Sequence, residues 1–180
     1  MAIVGRLLVD YSDLEISLMH CVSNVRGDLD STLKAMFRVR GETPRINIAD
    51  ALAHQEYSKL GMQDQFAEAI AAMRYSLKIR NKFTHSYWHN PLDGLCYVSL
   101  EDLAETNDKV LDLAGLDFFY LDITLLERHQ AYFRYTEGLL AFVNFEGRRL
   151  AGKLKAHTWR RPARLEPPPL YIRKVAHTDP

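Results

Sequence analysis

QDQFAEAIAAMRYSLKIRNKFTHSYW, residues 63–88, is the longest uninterrupted helical pattern in the first half of the chain. It is rich in Ala, Met, Leu, Glu, Gln, Lys and Arg and free of Gly and Pro, so propensity and pattern both predict a helix. Phe66, Ile70, Met73 and Leu77 follow one another by steps of four and three and draw an apolar stripe down one face. Continuing that row leads to Asn81, then to Thr84 and His85, then to Trp88. A polar cluster on the inward face, with Arg80 beside it, is therefore expected, and buried polar groups require partners.

The end of this helix reads Arg80-Asn81-Lys82-Phe83-Thr84-His85. The Arg-Asn-x-x-x-His arrangement resembles the signature of the HEPN superfamily, named for nucleotide binding in higher eukaryotes and prokaryotes. There an Arg and a His stand four to six residues apart, often with a polar residue after the Arg. The bare spacing is common by composition; the Asn and the position late in a periodic helix sharpen it. The resemblance implies an all-α, HEPN-like up-and-down bundle of four to six helices. It also implies a metal-independent endoribonuclease that acts as a homodimer, with no cofactor, two motifs facing one RNA-sized cleft, and often a toxin or defence role under a nucleotidyltransferase-type antitoxin partner. The alternative within the same resemblance is a catalytically inactive dimerising or nucleotide- or RNA-binding module.

The residue types suit the chemistry. RNA carries its own nucleophile, the 2′-hydroxyl. A histidine titrating near neutrality serves as acid or base, and an arginine holds a phosphate and its developing charge through fixed donors. Arg80 and His85 are the candidate catalytic pair, with Asn81 orienting the imidazole or a bound phosphate. Five residues along a regular helix rotate by roughly 500°, so Arg80 and His85 would point about 140° apart and stand about 7.5 Å apart along the axis. Either the helix ends or distorts before His85, or a second subunit completes the site.

Glu15, at the edge of the stripe formed by Val4, Leu7, Leu8, Tyr11, Leu14, Leu18, Val22 and Val25 on a first long helix from Ile3 to about Arg26, has two readings. It is a carboxylate at the solvent margin, or it supports the site by pairing with Arg80. After the motif, residues 89–94 are dense in turn formers and LCYVSL alternates, which predicts a small hairpin or one strand walling the cleft. Lys82, Trp88 and His89 are candidate substrate contacts and Tyr87 a supporting one, the aromatic rings offering stacking surfaces for unpaired bases. Trp88 suits the core better than a stacking role, and Tyr87 suits either.

Elsewhere, Asp28–Ser31 caps a short helix ended by Gly41; Thr43 as N-cap and Pro44 at the first helical position start another that runs to Gly61. An acidic segment carries a short helix over 101–114. Asp122 to Leu150 forms a second long helix with two adjacent apolar rows, broad enough for a bundle contact on one side and a dimer contact on the other. His20, His54 and His129 read as ordinary helical histidines, since no Glu-x-x-His pair or other ligand set accompanies them.

The remaining features set bounds. A chain of 180 residues is large enough for one core, and residues 1–156 are expected to form it. Residues 157–180 read as a basic, Pro-rich extended tail: nine cations from Arg148 to Lys174 meet only Glu166 and Asp179, either a solvated terminus or a patch for phosphate backbone. The net charge is zero, so RNA binding requires a local patch. Cys21 and Cys96 lack disulfide or metal spacing. No secretory signal and no apolar run of spanning length is seen, which predicts a cytoplasmic protein that does not cross a membrane. No Gly-rich phosphate loop, nucleophile elbow, zinc quartet or dinucleotide fingerprint occurs, so those classes are set aside.

Overall fold

Three long apolar stripes need cover, and they cover one another. In a computed structural model, which describes residues 2–89, 94–105 and 117–176, the elements run α1 (Ala2–Arg26), α2 (Leu29–Phe37), α3 (Glu42–Lys59), α4 (Gln63–Thr84), β1 (Ser86–His89), β2 (Leu95–Ser99), α5 (Leu100–Glu105), β3 (Asp117–Leu121), α6 (Ile123–Leu150) and β4 (Arg173–Ala176). The fold is mostly helical, with a sheet larger than the sequence suggests. The predicted turn at 90–93 and the part of the predicted acidic helix beyond residue 105 lie outside the described residues.

Helix ends follow local chemistry. Asp28 and Asp122 cap α2 and α6, accepting from the N–H groups of Ser31 and Leu125 at 3.0 and 2.8 Å. α3 closes in a Schellman motif: Gly61, at φ 70°, donates to Ser58 C=O, and Met62 donates to Tyr57 C=O. Thr43 does not cap α3. Gly41, at φ 87°, turns the chain two residues earlier, and the helix starts at Glu42 without a side-chain cap. Pro44 still falls in the first turn, where an absent N–H costs nothing. The shift puts the Glu42 carboxylate at the positive end of the helix.

α6 lies against α1 and α4, and α3 packs on α1 and α4. Leu7, Leu18, Ile46, Ala53, Phe66, Ile70, Met73, Leu139 and Leu140 meet in the centre, each almost wholly buried. Both apolar rows of α6 are largely consumed in this way: Leu125, Leu126, Tyr132, Phe133, Tyr135, Leu139, Leu140 and Val143 are all buried within the chain. The breadth of that face serves two intramolecular neighbours, and no second subunit is needed to explain it. Among the described residues no helix is long and apolar enough to cross a membrane.

The tail is extended, as its prolines require, but it is not detached. Residues 157–176 fold back over the bundle and end as the edge strand of an antiparallel sheet in the order β1-β2-β3-β4. Pro162 packs on Gly138; Tyr75 donates its hydroxyl to Pro168 C=O, His129 lies 2.8 Å from Pro169 C=O, and Tyr97 donates to Leu170 C=O at 3.4 Å. A carbonyl that cannot find a strand partner beside proline is thus taken up by side chains of the core.

His129 makes this docking sensitive to acid. Its Nε2–H faces the Pro169 carbonyl, while the buried Nδ1 has no partner among the described residues. Burial, opposed by that hydrogen bond and aided by Arg128, lowers its pKa and holds the ring neutral. Above the ordinary value of about 6.5 folded and unfolded chains are equally deprotonated. Below it the unfolded chain binds a proton that the folded one resists, so stability falls with pH. Melting of wild type should therefore drop more steeply between pH 7.5 and 5.5 than melting of His129→Gln, whose amide keeps a donor for Pro169 and cannot titrate; equal slopes would refute this.

Candidate functional site

Helix phase decides which motif residues face inward. A step of four residues advances about 40° beyond a full turn and a step of three falls about 60° short. From buried Leu77, two successive fours carry Asn81 and then His85 progressively outward, whereas a three brings Arg80 back toward the core. The structure follows this phase at Arg80, Asn81 and His85, whereas Thr84, only about 20° from the direction of Leu77, is exposed at the last residue of the helix and turns its hydroxyl back to Arg80 C=O. Ile79 and Phe83 are buried, Arg80 and Asn81 half-buried, and Thr84 and His85 exposed. The expected inward polar cluster at Asn81, Thr84 and His85 is corrected: Arg80 is the polar residue on the packed face.

Arg80 is held from three sides. Its Nη2 lies 3.3 Å from the Glu42 carboxylate, its Nη1 donates to Asn81 Oδ1 at 3.0 Å, and the guanidinium sits 5.8 Å from the Tyr11 ring centre. The remaining guanidinium N–H groups make no hydrogen bond among the described residues. Glu15 does not pair with Arg80. It takes Arg45 instead, at 3.1 and 3.3 Å, because α3 presents Arg45 to that part of α1 one turn after Glu42. Tyr11 lies amid these pairs with its hydroxyl buried and without a hydrogen-bond partner among the described residues. Burial first, then Glu15 and Glu42, push its pKa up, outweighing Arg80 and Arg45, so the phenol stays protonated. α1 thus packs on the motif helix through Tyr11 rather than through Glu15.

α4 stops because its last carbonyls are taken by side chains and by the chain's departure. Thr84 Oγ1 bonds Arg80 C=O at 2.9 Å, the His85 N–H bonds Asn81 C=O at 3.1 Å, Ser86 Oγ bonds Lys82 C=O, and the Trp88 indole bonds Phe83 C=O at 3.2 Å. His85 is the C-cap at φ −106°, ψ 29°, the bridge region in which active-site residues recur. Its own carbonyl accepts from Leu100 at the start of α5. The helix therefore ends before His85, one of the two options that the spacing allows.

One of the expected substrate contacts changes. Trp88 packs between Phe83 and Tyr97, with ring centres 5.5 and 5.4 Å away, and its indole N–H is used; it braces the helix end and is not a free stacking surface. Tyr87, on the opposite face of β1, is 60% exposed and remains one. Lys82 donates to Ser99 Oγ at 3.3 Å. Of His89 only the strand pairing with Cys96 is described.

A cleft of about 300 Å³ flanks the motif, lined by Thr43, Arg74, Leu77, Lys78, Asn81, Lys82 and Glu105. Glu42, Tyr11, Arg74 and Lys78 are the members of this region that sequence reasoning missed. A signal existed for the last two, since Arg74, Lys78 and Lys82 repeat every four residues. Among the described residues no group of three His, Cys, Asp or Glu side chains is placed to hold a metal ion.

No family model, no curated protein and no solved structure matches this chain.

Proposed function

We propose that this chain is a HEPN-like, metal-independent endoribonuclease that works as a homodimer on single-stranded or looped RNA. The observation that carries the reading is a continuous linkage at the end of α4: Arg80 donates to the Asn81 side chain, and the Asn81 carbonyl holds the backbone of His85, whose ring is exposed at the first non-helical residue. A fixed cation and a solvent-accessible imidazole are two of the groups that phosphodiester transfer by the 2′-hydroxyl uses, charge stabilisation and a base.

In this reading His85 takes the 2′-hydroxyl proton as the 2′-oxygen attacks phosphorus. The 5′-oxygen leaves with a proton supplied by the acid of a second copy, and a 2′,3′-cyclic phosphate remains. Arg80, anchored by Glu42 and Asn81, turns its remaining N–H groups to the phosphoryl oxygens. Arg80 faces α1 and α3 while His85 faces solvent, which supports a site completed across two subunits. A nuclease of this kind would serve as a toxin or defence effector and would need restraint, for which a nucleotidyltransferase-type partner is the inferred candidate.

One observation favours the non-catalytic alternative, a dimerising or nucleotide-binding module: Glu42 already neutralises Arg80. The deciding experiment is RNA cleavage in EDTA with identification of product ends. Cyclic-phosphate ends are expected. Absence of cleavage by demonstrably dimeric protein would overturn the nuclease reading in favour of the module.

A further inference from the structure

Of the nine cations from Arg148 to Lys174, which the sequence leaves as either a solvated terminus or a patch for phosphate backbone, seven have a partner, while Lys155 and Arg160 have none among the described residues. Arg161 pairs with Glu68, Arg164 with Glu166 and Arg149 with Glu146, Lys153 donates to Asn24 C=O, and Arg173 lies on Tyr120. The motif helix presents a different arrangement. Arg74, Lys78 and Lys82 stand one above another along α4 and line the cleft that also holds Asn81. Each step rises about 6 Å, a distance comparable with that between successive phosphates of a nucleotide strand.

We propose that this row is a track for the phosphate backbone of single-stranded RNA, running from Arg74 to the motif. This rests on the ribonuclease reading of Arg80 and His85 and extends it to how substrate is held. Lys78 is exposed and makes no hydrogen bond or ion pair among the described residues. Arg74 is half-exposed, with Nη2 on Asp50 at 3.0 Å and on Asn47 at 3.3 Å, which fixes its position while leaving part of its fork outward. Lys82 reaches Ser99 at the top of the cleft. A single straight row follows one strand, not the two backbones of a duplex. Beyond it stands exposed Tyr87, a surface on which an unpaired base stacks. Glu105 is the one carboxylate lining the cleft among the described residues. It opposes a polyanion and gives the proposal a second handle.

The test uses the full chain and a 2′-O-methyl oligoribonucleotide of about ten nucleotides, within the usual footprint of single-strand binders, which binds but cannot be cut. Anisotropy titrations across a salt series should give a slope of log K against log salt near −2, about −0.7 for each of three phosphate contacts. Lys78→Ala should bring it near −1.4. Lys78→Glu should weaken binding about tenfold at low salt, and Glu105→Gln should tighten it. Lys78 is exposed on a helix and flanked at four residues by cations, so a glutamate there is tolerated by the fold; a circular-dichroism melt checks this. Binding by Lys78→Glu within twofold of wild type would overturn the track. So would equal competition by an acidic peptide, which would make the row a surface for acidic protein partners. The outcome is separable from the nuclease reading: on cleavable RNA, Lys78→Glu should raise KM and spare kcat, whereas a chain that binds the strand along this row and never cuts it would lose the nuclease assignment and keep the track.

Discussion

On the proposed ribonuclease reading, His85→Ala will lose RNA cleavage by about 10²–10⁴-fold, the usual worth of a positioned acid or base, while its stability stays within about 0.5 kcal/mol of wild type, as for surface substitutions that keep the backbone bonds of a cap. The separation of the two effects follows from where His85 sits. Its backbone closes α4 through Asn81 and Leu100, which alanine reproduces, and its exposed ring supports nothing. Arg80→Ala will also abolish cleavage but will cost stability, because it strands the half-buried Glu42 carboxylate beside Tyr11. A cost of about 1–3 kcal/mol lies between the values for exposed and buried pairs. Arg80→Lys separates charge from shape: an ammonium cannot reach Glu42 and Asn81 as a fork does, so cleavage should fall with the fold kept. Product analysis and thermal melts on the same samples read both quantities. Undiminished cleavage by His85→Ala would end the nuclease proposal.

Tyr57→Ala will destabilise the chain by about 3–5 kcal/mol, the range for large aromatic truncations in cores. Tyr57 is almost fully buried, stacks on Phe66 with ring centres 4.6 Å apart, and donates its hydroxyl to Cys21 C=O at 3.0 Å. It joins α3 to α1 and α4, and Gly147 of α6 lies against the ring. A Cβ on Gly147 would stand 2.8 Å from Tyr57 Cε1, and the ring cannot give way while its hydroxyl and stacked face are both held. Gly147→Ala should therefore cost about 1–3 kcal/mol from overpacking, despite a helix-propensity gain of up to about 1 kcal/mol. In the Tyr57→Ala background the sign should reverse, since the clash is gone and the propensity gain remains. Denaturant melts of the four proteins measure this, and additive effects would show that the contact does not govern packing here.

Much of the fold was legible in one dimension. The spacing of Leu7, Leu14 and Leu18, of Phe66, Ile70 and Met73, and of Leu126, Phe133 and Leu140 announced α1, α4 and α6, and Asp28, Gly61 and Asp122 marked helix ends, because helical periodicity and caps are local chemistry. β3 was missed although Phe118, Phe119 and Tyr120 carry strand propensity, since five residues before a strong helix cap read as its approach. β4 carries only a faint local signal, Tyr171, Ile172 and Val175 beside a proline run. Arg173 and Lys174 pair with Tyr120 and Phe119 only because the arm docks.

The site divides along the same line. By itself the sequence determined that Arg80, Asn81 and His85 stand late in an amphipathic helix and that the tail is extended, consequences of bonds and periods within a few residues, whereas it ran the helix on to Trp88 and the structure ends it at Thr84. Only the tertiary structure decided the partners. Glu42 rather than Glu15 meets Arg80, Arg45 takes Glu15, Tyr11 lies beneath both pairs, and Trp88 braces the helix end. The physical reason is that a charge chooses among all groups that packing brings within a few ångströms, and which turn of α1 and α3 faces α4 depends on side chains scattered over the whole core.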